Sequence, residues 1–180
     1  MLVRYTIPND MSSTIDISDR KIGEGETVFV IAEGSVNHNG SLERAKQIID
    51  AAVAAGADAV KFQKRNLAEV YQAKVLANPN KYEQKYQYLI PLLKEFELPD
   101  KAFVELEKYA LGREIIFLVN GWDKQSIDWI EHNLQMPIHK VGSPDMTNDE
   151  LLEQIAAKGK PMIVSTGMSS EEEVKHCVDL

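Results

Sequence analysis

The stretch IIFLVNGWDKQSIDWIEHNLQMPIHKV, from Ile115 to Val141, decides how the chain is read. It opens on the apolar run Ile115-Ile116-Phe117-Leu118-Val119 and turns through Asn120-Gly121-Trp122-Asp123. An amphipathic helical stretch follows from about Lys124 to His132, and a second short apolar run arrives at Ile138-His139-Lys140-Val141. Strand, polar turn, helix and strand make the βαβ unit, in which the crossover helix lets successive strands lie parallel.

The same unit recurs outward in both directions. Upstream, the run Val28–Ala32 leads through Asn37-His38-Asn39-Gly40 into a helix capped by Ser41, with Leu42, Ala45, Ile48, Ile49 and Ala52 at helical spacing and Gly56 at its end. Ala59–Gln63 is the second strand, followed by a long connection, roughly Lys64 to Leu98, with a helix suggested by Tyr82, Tyr86, Leu89, Ile90 and Leu93. Connections this long are usually functional. Pro99 opens the next helix, in which Phe103, Leu106, Tyr109 and Ala110 form the inner face. Downstream, a capping box from Thr147 to Glu150 starts a helix ending near Gly159, Met162–Ser165 is the fifth strand, and Ser170 with Glu173 caps a last helix. Residues 1–27 read as an extended or hairpin lead, with Ile15, Ile17 and Ile22 alternating with polar residues and turns at Gly23 and Gly25. The fold class is therefore α/β, with five βα units in 28–180. Five units fall short of an eight-stranded barrel, so the pattern fits an open sheet or part of a longer (β/α)8 TIM barrel.

Composition limits the function. The 180 residues carry 20 Lys and Arg against 28 Asp and Glu, a net charge of −8, which argues against nucleic acid or an anionic membrane as partner. The single Cys177 forms no intrachain disulfide or Cys-rich zinc module, and no apolar run approaches the roughly 18 residues of a membrane span. With no signal-peptide pattern at the start, a cytoplasmic protein is expected.

In parallel α/β folds, ligands bind at the carboxyl ends of the strands, and there this sequence is rich in polar groups. Glu33 follows strand one, Lys61 and Gln63 end strand two, Asn120 and Asp123 follow strand three, Lys140 and Ser143 lie at strand four, and Ser165 and Thr166 end strand five. Lys61 and Lys140 interrupt apolar runs, where an ammonium needs an anionic partner. Two such lysines at one mouth would bind phosphate or carboxylate, with Ser143 and Ser165 as hydroxyl donors. The plain alternative is that each lysine snorkels past the sheet end or pairs with a carboxylate. Glu33 fits a general base, a metal ligand, or a structural partner of Lys61; Asn37–Gly40 fits a simple turn. His139 points away from Lys140 and reads as packing, while His132 and His176 read as surface residues and Cys177 as a helix residue far from any strand end. No dinucleotide or Walker phosphate-binding pattern occurs.

Five motifs in register resemble the sialic acid (N-acetylneuraminate) synthase family from about Val28 onward: Ile31-Ala32-Glu33, Asn37-His38-Asn39-Gly40, Ala57–Gln63, Lys140–Asn148 and Ser165-Thr166-Gly167-Met168. The resemblance implies a TIM barrel, usually followed by a small antifreeze-like domain. It implies condensation of phosphoenolpyruvate with an N-acetylated hexosamine such as N-acetylmannosamine, giving a nine-carbon 2-keto acid and phosphate. Carried over motif by motif, Lys61, Lys140, Ser143 and Ser165 are expected phosphoenolpyruvate ligands, Gln63 and Asp145 sugar contacts, and Glu33 the carboxylate near the reacting centre. The family also implies a divalent cation, Mn2+ or Mg2+, on two histidines beyond strand five, positions outside this chain, and a homodimer at full length.

Three departures stand out. Val119-Asn120-Gly121-Trp122-Asp123 replaces the usual Ser-Thr-Pro-Phe-Asp, so Asn120 stands where the family has a phosphate-contacting threonine. Asp145 stands where glutamate is common, and Glu33-Gly34-Ser35-Val36 departs from glutamate-isoleucine-glycine; with Lys61-Phe62-Gln63-Lys64-Arg65 these suggest a divergent branch. The expectation is a partial synthase barrel over 28–180, lacking its C-terminal half and antifreeze-like domain and inactive alone. A Schiff-base lysine aldolase and a non-catalytic anion- or partner-binding half-barrel stay open as alternatives.

Overall fold

In the computed structural model the structure describes residues 14–82 and 84–180, apart from the side chains of 84–86. Residues 1–13 of the expected lead, and the Tyr86 side chain, lie outside the described residues. Strands β1 (Ile15–Ile17) and β2 (Arg20–Ile22) form an antiparallel hairpin. Its turn is at Ser18-Asp19, with Ser18 at φ 55°, rather than at the glycines that follow. Then come β3 (Ile31–Ser35), α1 (Leu42–Ala54) and β4 (Ala59–Lys64). The long connection holds α2 (Leu67–Val70), α3 (Ala73–Ala77), a 3-10 turn and α4 (Gln84–Phe96). Next are α5 (Asp100–Gly112), β5 (Ile116–Gly121), α6 (Lys124–Asn133), β6 (His139–Val141), α7 (Asp149–Ala156), β7 (Met162–Val164) and α8 (Glu171–Asp179).

All pairing after the hairpin is parallel: β3, β4 and β5 form one sheet in that order, and β6 pairs with β7. β5 lies against β6, where the Val119 N–H donates to Met136 Sδ at 2.9 Å. Strand alternation sorts the side chains. Val60, Phe62, Phe117 and Val119 face the helices and pack with Ile49 of α1, Phe103 and Leu106 of α5 and Ile130 of α6. Ala59, Leu118 and Ile138 face the other way and are sealed at the strands' amino ends by Ile17 of the hairpin. Asp58 holds that end together, accepting from Arg20 and, at 2.7 Å, from the Val30 N–H.

Two expectations shift. The first strand starts at Ile31, not Val28, because pairing begins where Ile31 meets Ala59; Val28, without a neighbouring strand, is 81% exposed. Asn148, accepting from the Leu151 N–H, caps α7 in place of Thr147. The Ser170–Glu173 capping box on α8 is present.

Candidate active site

Glu33, Lys61, Gln63, Asn120, Lys140 and Ser165 share the inner face of the strands, above its apolar floor, because each is offset by an even number of residues from a floor residue. Glu33 and Asn120 lie within β3 and β5, rather than after them as expected.

A bulge in β3 sets the first corner. Register slips between Glu33 and Ser35, which face Lys61 and Phe62, with Ser35 at φ 47°. Only glycine fits between them, since a Cβ on Gly34 would come within 2.8 Å of the Phe62 ring. The Glu33 carboxylate thereby reaches Lys61 Nζ at 2.7 Å, and Ser35 Oγ accepts from Gln63 Nε2 at 2.7 Å. Lys61 is buried, whereas Glu33 is exposed at the mouth. A buried ammonium with a half-hydrated partner is a ready anion site.

Lys140 forms the second corner, donating to the Val141 carbonyl and to Ser165 Oγ, each at 2.6 Å. Burial pushes its pKa down, the nearby Lys61 charge pushes it further, and Glu33 opposes them. These three groups therefore feel one another across a single mouth. Ser143, on the 3-10 turn after β6, packs beside Gly167, where a Cβ would approach its hydroxyl to 2.9 Å. The two hydroxyl-bearing loops thus meet near Lys140.

Asn120 sits at the β5–β6 junction. With its amide oriented to suit its neighbours, its nitrogen donates to the Lys140 carbonyl at 2.7 Å and to Gly121 O at 3.3 Å, and its oxygen accepts from Trp122 Nε1 at 3.3 Å. One amide hydrogen thus ties β5 to β6, and the other goes to the Gly121 carbonyl of β5 itself. Asp145 is buried with its Oδ2 unpartnered, and burial, with repulsion from Asp123, pushes its pKa up to about 6. Asp123 caps α6 through Ser126 and accepts from the Asn66 N–H.

The Asn37–Gly40 run is a turn, with His38 locked inside it. His38 is buried against Phe62, its Nδ1 accepts from the Gly40 N–H, and burial with the Arg65 charge lowers its pKa to about 4. His139 is buried beside Glu131, and His132 and His176 are exposed. Arg65 was not among the expected site residues, yet it donates to Gln63 Oε1 and lies over the Trp122 ring, 4.9 Å from its centre. The sequence signal was its place two residues after Gln63, hidden because strand alternation alone says nothing of a residue beyond a strand's end. Among the described residues, no group of three or more His, Cys, Asp or Glu is placed to hold a metal ion, so the donor set here does not fit one.

The NeuB family profile matches residues 48–180. The chain belongs to the NeuB family. N-acetylneuraminate-9-phosphate synthase of Homo sapiens is 36% identical over 159 residues, 87% of this chain and 44% of that protein. N,N'-diacetyllegionaminic acid synthase of Legionella pneumophila is 36% identical over 176 residues, 90% of this chain and 48% of that protein. The crystal structure of N-acetylneuraminic acid (sialic acid) synthetase from Leptospira borgpetersenii, in complex with citrate, superposes with a TM-score of 0.79 at 31% identity, covering 94% of this chain and 55% of that one. The chain thus spans about half the length of the NeuB relatives it matches, and its α/β fold with parallel strands is theirs.

Proposed function

We propose that this chain is the phosphoenolpyruvate-binding part of a NeuB-type synthase that condenses phosphoenolpyruvate with an N-acetylamino sugar, N-acetylmannosamine or similar. The product would be a nine-carbon 2-keto sugar acid, with phosphate released. The observation that carries this reading is the convergence of Lys61 and Lys140 on one inner face, each hydrogen-bonded or ion-paired at the mouth. In this reading the lysines neutralise the phosphate and carboxylate, Ser143 and Ser165 donate hydroxyls, and Gln63 and Asp145 contact the sugar. Asn120 is a strut that fixes the β5–β6 junction beneath them.

The enol carbon attacks the sugar aldehyde, leaving a cationic pyruvyl carbon that the surrounding dipoles stabilise as it forms. Water adds there, Glu33 takes one of its protons, the former aldehyde oxygen gains one to become a hydroxyl, and carbon–oxygen cleavage leaves the keto group as the remaining hydroxyl proton departs with phosphate. A divalent cation, Mn2+ or Mg2+, is proposed to be held by residues outside this chain, and no step here runs through it. The five βα units are proposed to be the first part of a (β/α)8 barrel in a cytoplasmic homodimer, with the 180 residues alone inactive.

A second reading has one observation in its favour. The lowered pKa of Lys140 makes its neutral amine more available, as a Schiff-base aldolase would need. The discriminating experiment measures phosphate release by the full-length protein. Release that requires both phosphoenolpyruvate and an N-acetylamino sugar supports the synthase. Borohydride trapping of pyruvate on Lys140, without such release, supports the aldolase, and binding of phosphoenolpyruvate without turnover supports a non-catalytic module.

A further inference from the structure

Arg65 is buried at 7% exposure, just past the end of β4, in a place where nothing in the proposed chemistry requires a guanidinium. Four contacts explain its position. One guanidinium nitrogen, Nη2, donates to Gln63 Oε1, and the plane lies over Trp122 of the β5–α6 loop. Its Nε is 3.9 Å from Glu97 Oε2, and its backbone N–H donates to Glu97 Oε1 at 3.3 Å. Glu97 follows α4 directly, so the residues at the two ends of the long β4–α5 connection are fastened to each other through this pair.

The consequence falls on Gln63. A primary amide has two donors and one acceptor oxygen, and a free glutamine at a mouth flips between them. Here Ser35 Oγ takes one amide hydrogen at 2.7 Å, and a guanidinium, which can only donate, takes the oxygen. The flipped amide would set donor against donor at Arg65. Gln63 is thus left with one N–H and one lone pair in a fixed direction.

We infer that Arg65 is a positioning residue for the sugar, locking the Gln63 amide so that it presents a fixed N–H to a hydrogen-bond acceptor on the substrate, such as a carbonyl or hydroxyl oxygen. The inference rests on the reading of Gln63 as a sugar contact and goes beyond it by assigning the selectivity of that contact to the Arg65–Glu97 clasp. Through Glu97, the long connection becomes part of the sugar site without touching the sugar.

The test is steady-state kinetics of the full-length protein with phosphoenolpyruvate and N-acetylmannosamine as probes. Gln63→Ala establishes the contact by raising the sugar KM. Arg65→Met is then expected to raise the sugar KM about tenfold, the scale of a misdirected hydrogen bond, with the phosphoenolpyruvate KM within about twofold of wild type. In the Gln63→Ala background, Arg65→Met should have no further effect, and Arg65→Lys, which keeps a donor, should recover part of the loss. Removing the Arg65 side chain leaves the half-buried Glu97 without the guanidinium charge, so Arg65→Met/Glu97→Gln, which removes both charges, serves if the single variant does not fold. If Gln63→Ala raises the sugar KM but the Arg65 variants do not, or if they raise both KM values together, the positioning role is wrong. If Gln63→Ala itself leaves the sugar KM unchanged, it is the reading of the sugar site that fails.

Discussion

Lys140 gives up its proton more readily than an ordinary lysine, because burial and the Lys61 charge both disfavour the ammonium. Anion affinity that depends on that charge must fade as pH rises through the lowered pKa. Phosphoenolpyruvate binding, followed by calorimetry from pH 7 upward, should therefore weaken earlier than titration of a normal lysine allows, and Lys140→Met should remove that early phase. Asp145 has the opposite sense, its carboxyl held up to about 6 by burial and by Asp123. Stability from this group is fully present below the usual carboxylate range and is lost as pH rises through about 6, where the native state holds a buried carboxylate that the unfolded chain would hydrate. Asp145→Asn should flatten this dependence and raise Tm at pH 8 by about 2–4 °C, with little change at pH 4. Parallel melting curves for the two proteins across that range would contradict it. The meeting of Lys61, Lys140 and Ser165 on one face was legible from their places at strand ends. The bond from Asn120 to the Lys140 carbonyl was not legible, because sequence says which residue ends a strand but not whether a neighbouring carbonyl claims its amide.

At the scale of elements, the turn after β3 and the end of α4 meet at one backbone contact. Gly40 has φ +72°, and a Cβ there would lie 2.7 Å from the Glu95 carbonyl oxygen. Gly40→Ala combines left-handed strain with a backbone clash, so a loss of about 2–3 kcal/mol is expected. Urea unfolding would register this as a lower midpoint at an unchanged slope, whereas a shift below about 0.5 kcal/mol would show that the turn and α4 separate freely. The strands and helices were legible because β-branched runs and helical spacing are local properties. Their limits were not: Val28–Val30 has the composition of a strand, but the regular ladder with β4 begins only at Ile31. The short helices α2 and α3 that precede α4 in the long connection were likewise hidden, since helices of four or five residues depend on packing more than on periodicity.

For the whole molecule, a net charge of −8 coexists with a cationic pair concentrated at one mouth. The apolar floor formed by Ala59, Leu118 and Ile138 keeps water from one end, and the polar groups above it face the other. That division follows from alternation along parallel strands, while the family was legible in the motifs that these strand-end residues belong to. The central claim is that Lys61 and Lys140 jointly bind phosphoenolpyruvate. Calorimetric titration of phosphoenolpyruvate into the wild-type, Lys61→Met and Lys140→Met proteins tests it most directly. The account predicts saturable binding by the wild type and a loss of about tenfold or more in each variant, the scale of removing one charge-assisted contact. Equal affinity in all three proteins would contradict it.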